Sequence, residues 1–340
     1  MGEPFTIAFP SPLPVERSGE SWAAEVDGRE VRLSNLDKVF WPQEGFTKGD
    51  LVAYYFNVGP TILPYLAGRP LTLKRMPNGV AGRAFFQKDA PDHTPAWMTR
   101  CAIEPEDGRI DEMLVAEARP DLLFIVNLGC IELHPLHSRC ERYDRPDYLV
   151  VDLDPMAPAG FEEALAVAAH VHVLLERLGL RGYPKTSGAT GVQVYVPVDH
   201  KHSYDETREL AERMGRLIAE AAPDSVTMEW AVERRGRKVF FDHNMNRRAA
   251  SLAAAYCVRP EPGATVSAPI SWEEVRAGSV RPGDFTMSTI FRRLDRVGDL
   301  FRGVVSDGQD LDPVLARLHI EPSRSDVSGG RMRRILPARH

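Results

Sequence analysis

The chain has 340 residues, 43 % of them hydrophobic and 26 % charged, enough for a full-sized core in two lobes or one large domain. A net charge of −6 and a pI near 6.0 exclude a protein that coats nucleic acid through bulk positive charge, so any polyanion must be held by local patches. No apolar run approaches the roughly 18 residues of a membrane span. The start "MGEPFTIAFPSPLP" lacks the basic and apolar segments of a signal peptide, so no membrane partner and a cytoplasmic location are expected.

In chain order, "EVDGREVRLSN" (25–35) alternates apolar and polar residues around a DG turn and predicts a β-hairpin. In "TKGDLVAYYFNVGPTILPYL" (47–66), Thr47 suits a helix cap, the apolar residues recur at helical spacing, and Pro60 is expected to break or kink the helix. A strand is expected over 69–77, then a buried helix against a strand or turn over 121–139. From there the order is strand (147–153), helix (160–178), strands (182–187 and 191–198), helix (203–222) and strand (237–242). That order predicts an α+β arrangement in which helices cross a largely antiparallel sheet. Residues 278–320 read as helical, and "EPSRSDVSGGRMRR" as a flexible tail. The cysteines (Cys101, Cys130, Cys140, Cys257) are scattered with no CxxC pair, which points to buried free thiols rather than a zinc site or a disulfide framework.

The chemistry begins at "YLVVDLDP" (148–155), where an apolar strand runs into two aspartates. Side chains two apart on a strand share a face, so Asp152 and Asp154 project together and repel unless a cation sits between them. Hard divalent ions answer that need; the plainer alternative is a strand end with a capping Asp and a turning Pro. In "YPKTSGATGVQVYVP" (183–197), a Ser-Gly-x-x-Gly turn offers backbone N–H groups, with Lys185 and the hydroxyls of Thr186, Ser187 and Thr190 as further donors for an anion, or else it is simply a hairpin turn. Asp242 closes a third apolar strand, flanked by Arg235, Arg237, Lys238, Arg247 and Arg248. Three strand-end carboxylates in a basic, Gly-rich setting are what two-metal phosphoryl transfer requires.

The order DLDP, SGATGVQ, FFD resembles the three motifs of the archaeo-eukaryotic primase superfamily, and specifically the polymerase domain of bacterial ligase D. The resemblance extends over "RLSNLDKVFWPQEGFTKGDLVAYY", "LAGRPLTLKRMPNGVAGRAFFQK", "ELHPLHSR" and "FTMSTIFRRLDRVGDLF". With no ligase or nuclease segment in the sequence, it looks most like the stand-alone bacterial Primase-Polymerase C. The resemblance implies a two-lobed fold with an RRM-like catalytic sheet flanked by helices. One catalytic domain is expected over 1–320, with a DNA-binding lobe (about 25–145), a catalytic lobe (about 146–320) and a basic tail (321–340).

It further implies that Asp152, Asp154 and Asp242 hold two Mn²⁺ or Mg²⁺ ions, and that Ser187, Gly188, Thr190, Lys185, Arg235, Arg259 and His134 (or His137) serve the incoming nucleotide. Asn35, Lys38 and Lys48 correspond to a pocket for a downstream 5′-phosphate, and Phe85, Phe86 and Lys88 to a template-stacking edge. Adjacent Phe residues point to opposite faces, so one is expected in the core and the other as the stacking platform. The chain departs from the family pattern at Thr190 (usually Lys), Gln193 (His in many primase relatives) and around Met245 (a glutamine), with Lys185, Asn244 and Asn246 as nearby substitutes. The expected function is a template-dependent, gap-filling polymerase of DNA repair that prefers ribonucleotides. It would act as a monomer on gapped or nicked duplex DNA with a 5′-phosphate, take NTPs or dNTPs, and work beside a repair ligase. The alternatives are a de novo primase and a catalytically silent DNA-end-binding protein.

Overall fold

The computed structural model describes residues 4–103, 110–321 and 332–335. The N-terminal part opens with a three-stranded meander, β1 (Val15–Ser18), β2 (Ser21–Val26) and β3 (Arg29–Ser34), all antiparallel. Asp27 and Gly28 take positive φ at its DG turn. A short ribbon, β4 (Val39–Trp41) with β5 (Phe46–Thr47), then leads into helix α1 (Lys48–Leu66).

Thr47 caps α1 in a reciprocal box. Its hydroxyl accepts from the Asp50 N–H at 3.0 Å, and the Asp50 carboxylate accepts from the Thr47 N–H at 2.8 Å. The helix is buried on most of its circumference, and its inner tyrosines donate to backbone carbonyls: Tyr54 to Tyr256 at 2.7 Å and Tyr55 to Ile131 at 2.8 Å. It runs through both Pro60 and Pro64, so of the break or kink expected at Pro60 the break does not occur. The packing around this central helix outweighs the bonds that the two prolines cannot donate.

A second sheet, order β10-β6-β7, is built from β6 (Leu71–Arg75), β7 (Phe85–Gln87) and β10 (Cys130–Pro135). Helix α2 (Arg119–Asn127) packs against α1 and β3. A third sheet, β16-β8-β9, consists of β8 (Arg100–Ile103), β9 (Asp111–Leu114) and β16 (Met332–Ile335). The expected flexible tail is thus corrected in part. Residues 332–335 pair antiparallel with Arg100–Ile103, and Arg334 bonds Glu141 and Glu117, while 322–331 lie outside the described residues.

The expectation of four free thiols is also corrected. Cys101 and Cys140 form a disulfide across a Cα–Cα distance of 6.1 Å, while Cys130 and Cys257 are free and buried. The partners lie 39 residues apart, and only the tertiary approach of β8 to the turn after β10 brings them together.

A five-stranded sheet has the order β12-β13-β11-β15-β14, from β11 (Tyr148–Pro155), β12 (Tyr183–Thr186), β13 (Val192–Pro197), β14 (Val226–Thr227) and β15 (Val239–Asp242). Helices α3 (Phe161–Leu178) and α4 (Tyr204–Ala221) connect it and pack on it. The β-α-β-β-α-β order with β11 central is the ferredoxin-like arrangement shared by RRM-type sheets, in the α+β class expected. Only β14 joins in parallel. The region expected to be helical at 278–320 holds three short α-helices, α6 (Ile290–Val297), α7 (Gly303–Ser306) and α8 (Asp312–Arg317), and a 3-10 turn at Pro282–Asp284, preceded by α5 (Trp272–Ala277). Among the described residues no helix is long and apolar enough to cross a membrane.

Arg69, fully buried, ties the N-terminal part to the start of β11. It meets Asp147 at 2.5 Å, donates to the His137 carbonyl at 2.8 Å and lies over the Tyr148 ring at 4.8 Å. Removing one partner strands a buried charge. Asp147→Ala should therefore lower the unfolding free energy by about 3–5 kcal/mol, read as a lower urea midpoint at unchanged slope; a shift below 1 kcal/mol would show the pair to be incidental.

Candidate active site

Strand register decides which side chains meet. Asp152 is the direct partner of Gln193 on β13 and of Asp242 on β15, and Gln193 is in turn the partner of Lys185 on β12. Directly opposed residues share a face, so Lys185, Gln193, Asp152 and Asp242 form one row across four strands, with Asp154 two residues on along β11. Leu149, Val151 and Leu153 take the other face and stay fully buried.

The row is wired by side-chain amides. Lys185 Nζ donates to Gln193 Oε1 at 2.6 Å, and Gln193 Nε2 donates to Asp152 Oδ1 at 3.0 Å. Lys185 also donates to Ser267 Oγ at 2.6 Å and to the Ala253 carbonyl at 3.1 Å. Its three protons are spent inside the protein, so it is a buried prop rather than the free phosphate donor expected from the sequence. Burial, then the nearby Arg259, lowers its pKa to about 7.

Burial, then the Asp154 charge, pushes Asp152 well above the ordinary carboxylate range. Asp154 is raised by burial and by Asp242, with Arg235 and Arg259 pulling the other way. Asp242 is raised by burial, although its Oδ1 accepts the Asn244 N–H at 2.9 Å. All three supply only hard oxygen donors, and burial and mutual repulsion outweigh the neighbouring arginines and amides. That donor set fits divalent cations of the Mg²⁺ or Mn²⁺ type.

The group whose ligand atoms already lie within 4.8 Å of one another is a different one, Asp199, His202 and Asp310. It is a poor metal site, because His202 Nε2 accepts the Leu311 N–H at 3.1 Å and Lys201 pairs with Asp199 at 3.0 Å and Asp310 at 3.3 Å.

Between β12 and β13 the turn 187–191 folds inward. Ser187 N–H donates to the Gly191 carbonyl at 2.8 Å, and the Ser187 hydroxyl accepts from Ala189 at 3.2 Å and Gly191 at 3.0 Å. Three of its N–H groups are therefore spent on the turn itself, which corrects the fully open cradle read from the sequence. Gly188 (φ +77°) sits so close to Arg259 that a Cβ would come within 2.6 Å of the Arg259 Cγ. A Cβ on Gly191 would meet the Leu153 carbonyl at 2.6 Å and the Asp154 carboxylate at 3.1 Å, which places the turn against the acids. Thr190 is exposed.

Beside this turn lies an arrangement that the sequence reading missed. Glu132, 1 % exposed, is met by Lys74 Nζ at 2.9 Å, His134 Nε2 at 2.6 Å and Arg259 Nε at 3.1 Å. Despite burial, which acts to raise it, His134, Arg259 and Lys74 hold the Glu132 carboxyl down at about 2. Arg259 Nη1 also donates to the Ser187 carbonyl at 2.5 Å. The available signal was the Glu-x-His spacing in "IELHP", which sets both side chains on one face of β10. His137 is elsewhere, buried against Tyr148 with its pKa lowered to about 3 by burial and Arg69, so His134 is the histidine at the site.

Phe85 and Phe86 are 41 % and 63 % exposed, so the expectation that one is a core residue fails. Strand β7 is a three-residue sheet edge with no layer to bury either face. Arg75 covers the Phe85 ring at 5.2 Å, His134 meets the Phe86 ring edge-on at 5.7 Å, and Lys88 is exposed just beyond.

Asn35, Lys38 and Lys48 line one open cavity of about 280 Å³ with Arg75, His93 and Asn127, and no carboxylate lines it. Lys38 Nζ is aimed by Pro77 O (2.8 Å) and Asn78 Oδ1 (2.7 Å), and Lys48 Nζ by Ser34 O (2.7 Å) and Asn127 Oδ1 (2.8 Å). Burial, then Lys38 and Arg75, lowers Lys48 to about 8. Near Asp242, Asn246 is not a ligand substitute, since its amide clamps Val150 N–H and C=O at 2.7 Å each. Arg235 donates to the carbonyls of Glu229 (3.0 Å) and Trp230 (2.9 Å).

The family described as the LigD primase-polymerase domain matches residues 47–301, and the chain belongs to that family. It is 33 % identical over 88 % of its length to the multifunctional non-homologous end joining protein LigD of Mycolicibacterium smegmatis, and 31 % identical over 85 % to the bifunctional LigD of Bacillus subtilis. It spans 38 % and 46 % of those two relatives. The polymerase domain of Mycobacterium tuberculosis Ligase D in complex with DNA superposes with a TM-score of 0.76 at 31 % identity, covering 82 % of this chain and 99 % of that one. The fold and site therefore define a primase-polymerase domain of the kind found in DNA end-joining repair.

Glu132 gives a pH test. Its folded pKa near 2 lies below its unfolded value of roughly 4.3, so its stabilising contribution is present above that value and is lost as pH falls toward 2. The stability difference between wild type and Glu132→Gln should be constant above about pH 5 and shrink below pH 4. A difference that does not change with pH would contradict the charge-hub assignment.

Proposed function

We propose that this protein is a template-directed nucleotidyltransferase that adds a few nucleotides to a primer 3′-OH across short gaps in DNA, in repair, with Mn²⁺ or Mg²⁺. The observation that carries the reading is the convergence of Asp152, Asp154 and Asp242 on one sheet face beside the Ser187–Gly191 turn and Arg259. The 3′-OH attacks the α-phosphate in line and pyrophosphate leaves. Asp152, Asp154 and Asp242 would hold two divalent ions, which supply activation of the attacking oxygen and neutralisation of the leaving group. Arg259, fixed between Glu132 and the Ser187 carbonyl, presents positive charge to the triphosphate.

A preference for ribonucleotides follows from His134. The bond from Nε2 to Glu132 leaves Nδ1 as an acceptor for a ribose 2′-OH. The acid-free cavity of Asn35, Lys38 and Lys48 suits a downstream 5′-phosphate, and exposed Phe85 and Phe86 suit unpaired template bases. A filled gap still contains a nick, so a repair ligase is the partner the product calls for. Action as a monomer in the cytoplasm completes the reading.

Primer extension on a duplex with a one- to three-nucleotide gap tests it. Asp154→Ala should abolish extension and leave gapped-DNA affinity within about two-fold; retained extension would remove the carboxylates from the chemistry. Omitting the downstream 5′-phosphate should weaken wild-type binding by about ten-fold or more and leave a Lys38→Ala/Lys48→Ala variant unaffected. Equal losses in both proteins would assign the phosphate to another site.

A further inference from the structure

In-line displacement puts the attacking oxygen and the leaving pyrophosphate on opposite sides of the phosphorus. In the catalytic sheet, the Ser187–Gly191 turn and Arg259 lie on the β12–β13 side of β11. If the triphosphate takes that side, the 3′-OH must arrive from the β15–β14 side, where the loop 228–238 rises.

That loop carries an unusual surface. Trp230 is 62 % exposed and Val232 53 %, with Arg234 and Arg237 exposed beside them and Glu233 the exposed acid among them. The position is tied to the acids by register, because Phe240 directly opposes Asp154, and the Trp230 ring meets the Phe240 ring edge-on at 6.1 Å. Arg235 lies 3.5 Å over Phe240 and donates to the carbonyls of Glu229 and Trp230. It thereby pins the loop to the sheet while the indole stays outward. An indole held at the rim by its backbone presents a flat π-face at little entropic cost, and flanking arginines supply the charge a phosphodiester needs.

We propose that Trp230 is the stacking platform for the terminal nucleoside of the primer strand, with Arg234 and Arg237 facing the phosphates behind it and Arg235 acting as the loop's anchor. This rests on the polymerase reading and adds to it the path of the primer. Stacking is indifferent to base identity, which suits a surface that must accept any primer end.

The test compares Trp230→Ala, Trp230→Phe and wild type in the full chain. Fluorescence anisotropy is measured with a duplex carrying a recessed 3′ end and with its template strand alone, and KM is measured for primer–template and for NTP. Trp230→Ala should weaken binding to the recessed end and raise the primer–template KM by about ten-fold. It should leave the template-strand affinity and the NTP KM within two-fold, and Trp230→Phe should recover most of the loss. Unchanged recessed-end affinity in Trp230→Ala, or an equal rise in the NTP KM, would overturn the assignment. Because binding is read without turnover, a wild-type protein that binds the recessed end but does not extend it would count against the polymerase reading alone.

Discussion

Mutual repulsion among Asp152, Asp154 and Asp242 is the constraint around which the rest of the five-stranded sheet is arranged. Three carboxylates on adjoining strands of a buried sheet oppose folding, because burial and like charge both disfavour their ionised forms. The sheet compensates with β11 paired on both edges over Asp152–Leu153, Gln193 donating to Asp152, and an apolar opposite face of Leu149, Val151 and Leu153. Where β15 ends, the Asn246 amide takes over and binds both the N–H and C=O of Val150, so the central strand loses no bonds at the point where the acids need room. Such a site trades stability for chemistry.

The neighbouring hub inverts the same electrostatics. Glu132 is one acid among Lys74, His134 and Arg259, buried and strongly ionised. An excess of cations around one fixed anion, set next to an excess of anions, polarises this part of the protein. Lys185 belongs to neither set. Its ammonium is consumed by Gln193, Ser267 and Ala253, and it acts on Asp152 only through the Gln193 amide.

Legibility in the sequence followed the range of the forces involved. The order of strands and helices in the five-stranded sheet, apart from the two-residue β14, the Thr47 cap and the shared face of Asp152 and Asp154 are local patterns of spacing and alternation, and these could be read directly. Lys185 was misread because "YPKTS" shows a lysine next to a turn, whereas its partners include Ala253 and Ser267, which arrive 68 and 82 residues later in the chain. Glu132 was missed because its three partners come from β6, β10 and the segment after β15. The Cys101–Cys140 pair, the passage of α1 through Pro60 and the joint exposure of Phe85 and Phe86 likewise depend on what packs where, which no short window encodes.

Strand β6 shows how tertiary placement gives neighbouring residues separate tasks. Lys74 and Arg75 point to opposite faces, as adjacent strand residues must. Lys74 reaches Glu132, while Arg75 lines the Lys38–Lys48 cavity. Their partners across the edge follow suit, Phe86 opposite Lys74 and touching His134, Phe85 opposite Arg75 and covered by its guanidinium. The edge therefore presents one ring on the side of Glu132 and His134 and the other on the side of the cationic cavity. The two-residue period of a β-strand thereby assigns two cationic clusters to opposite faces of a single edge.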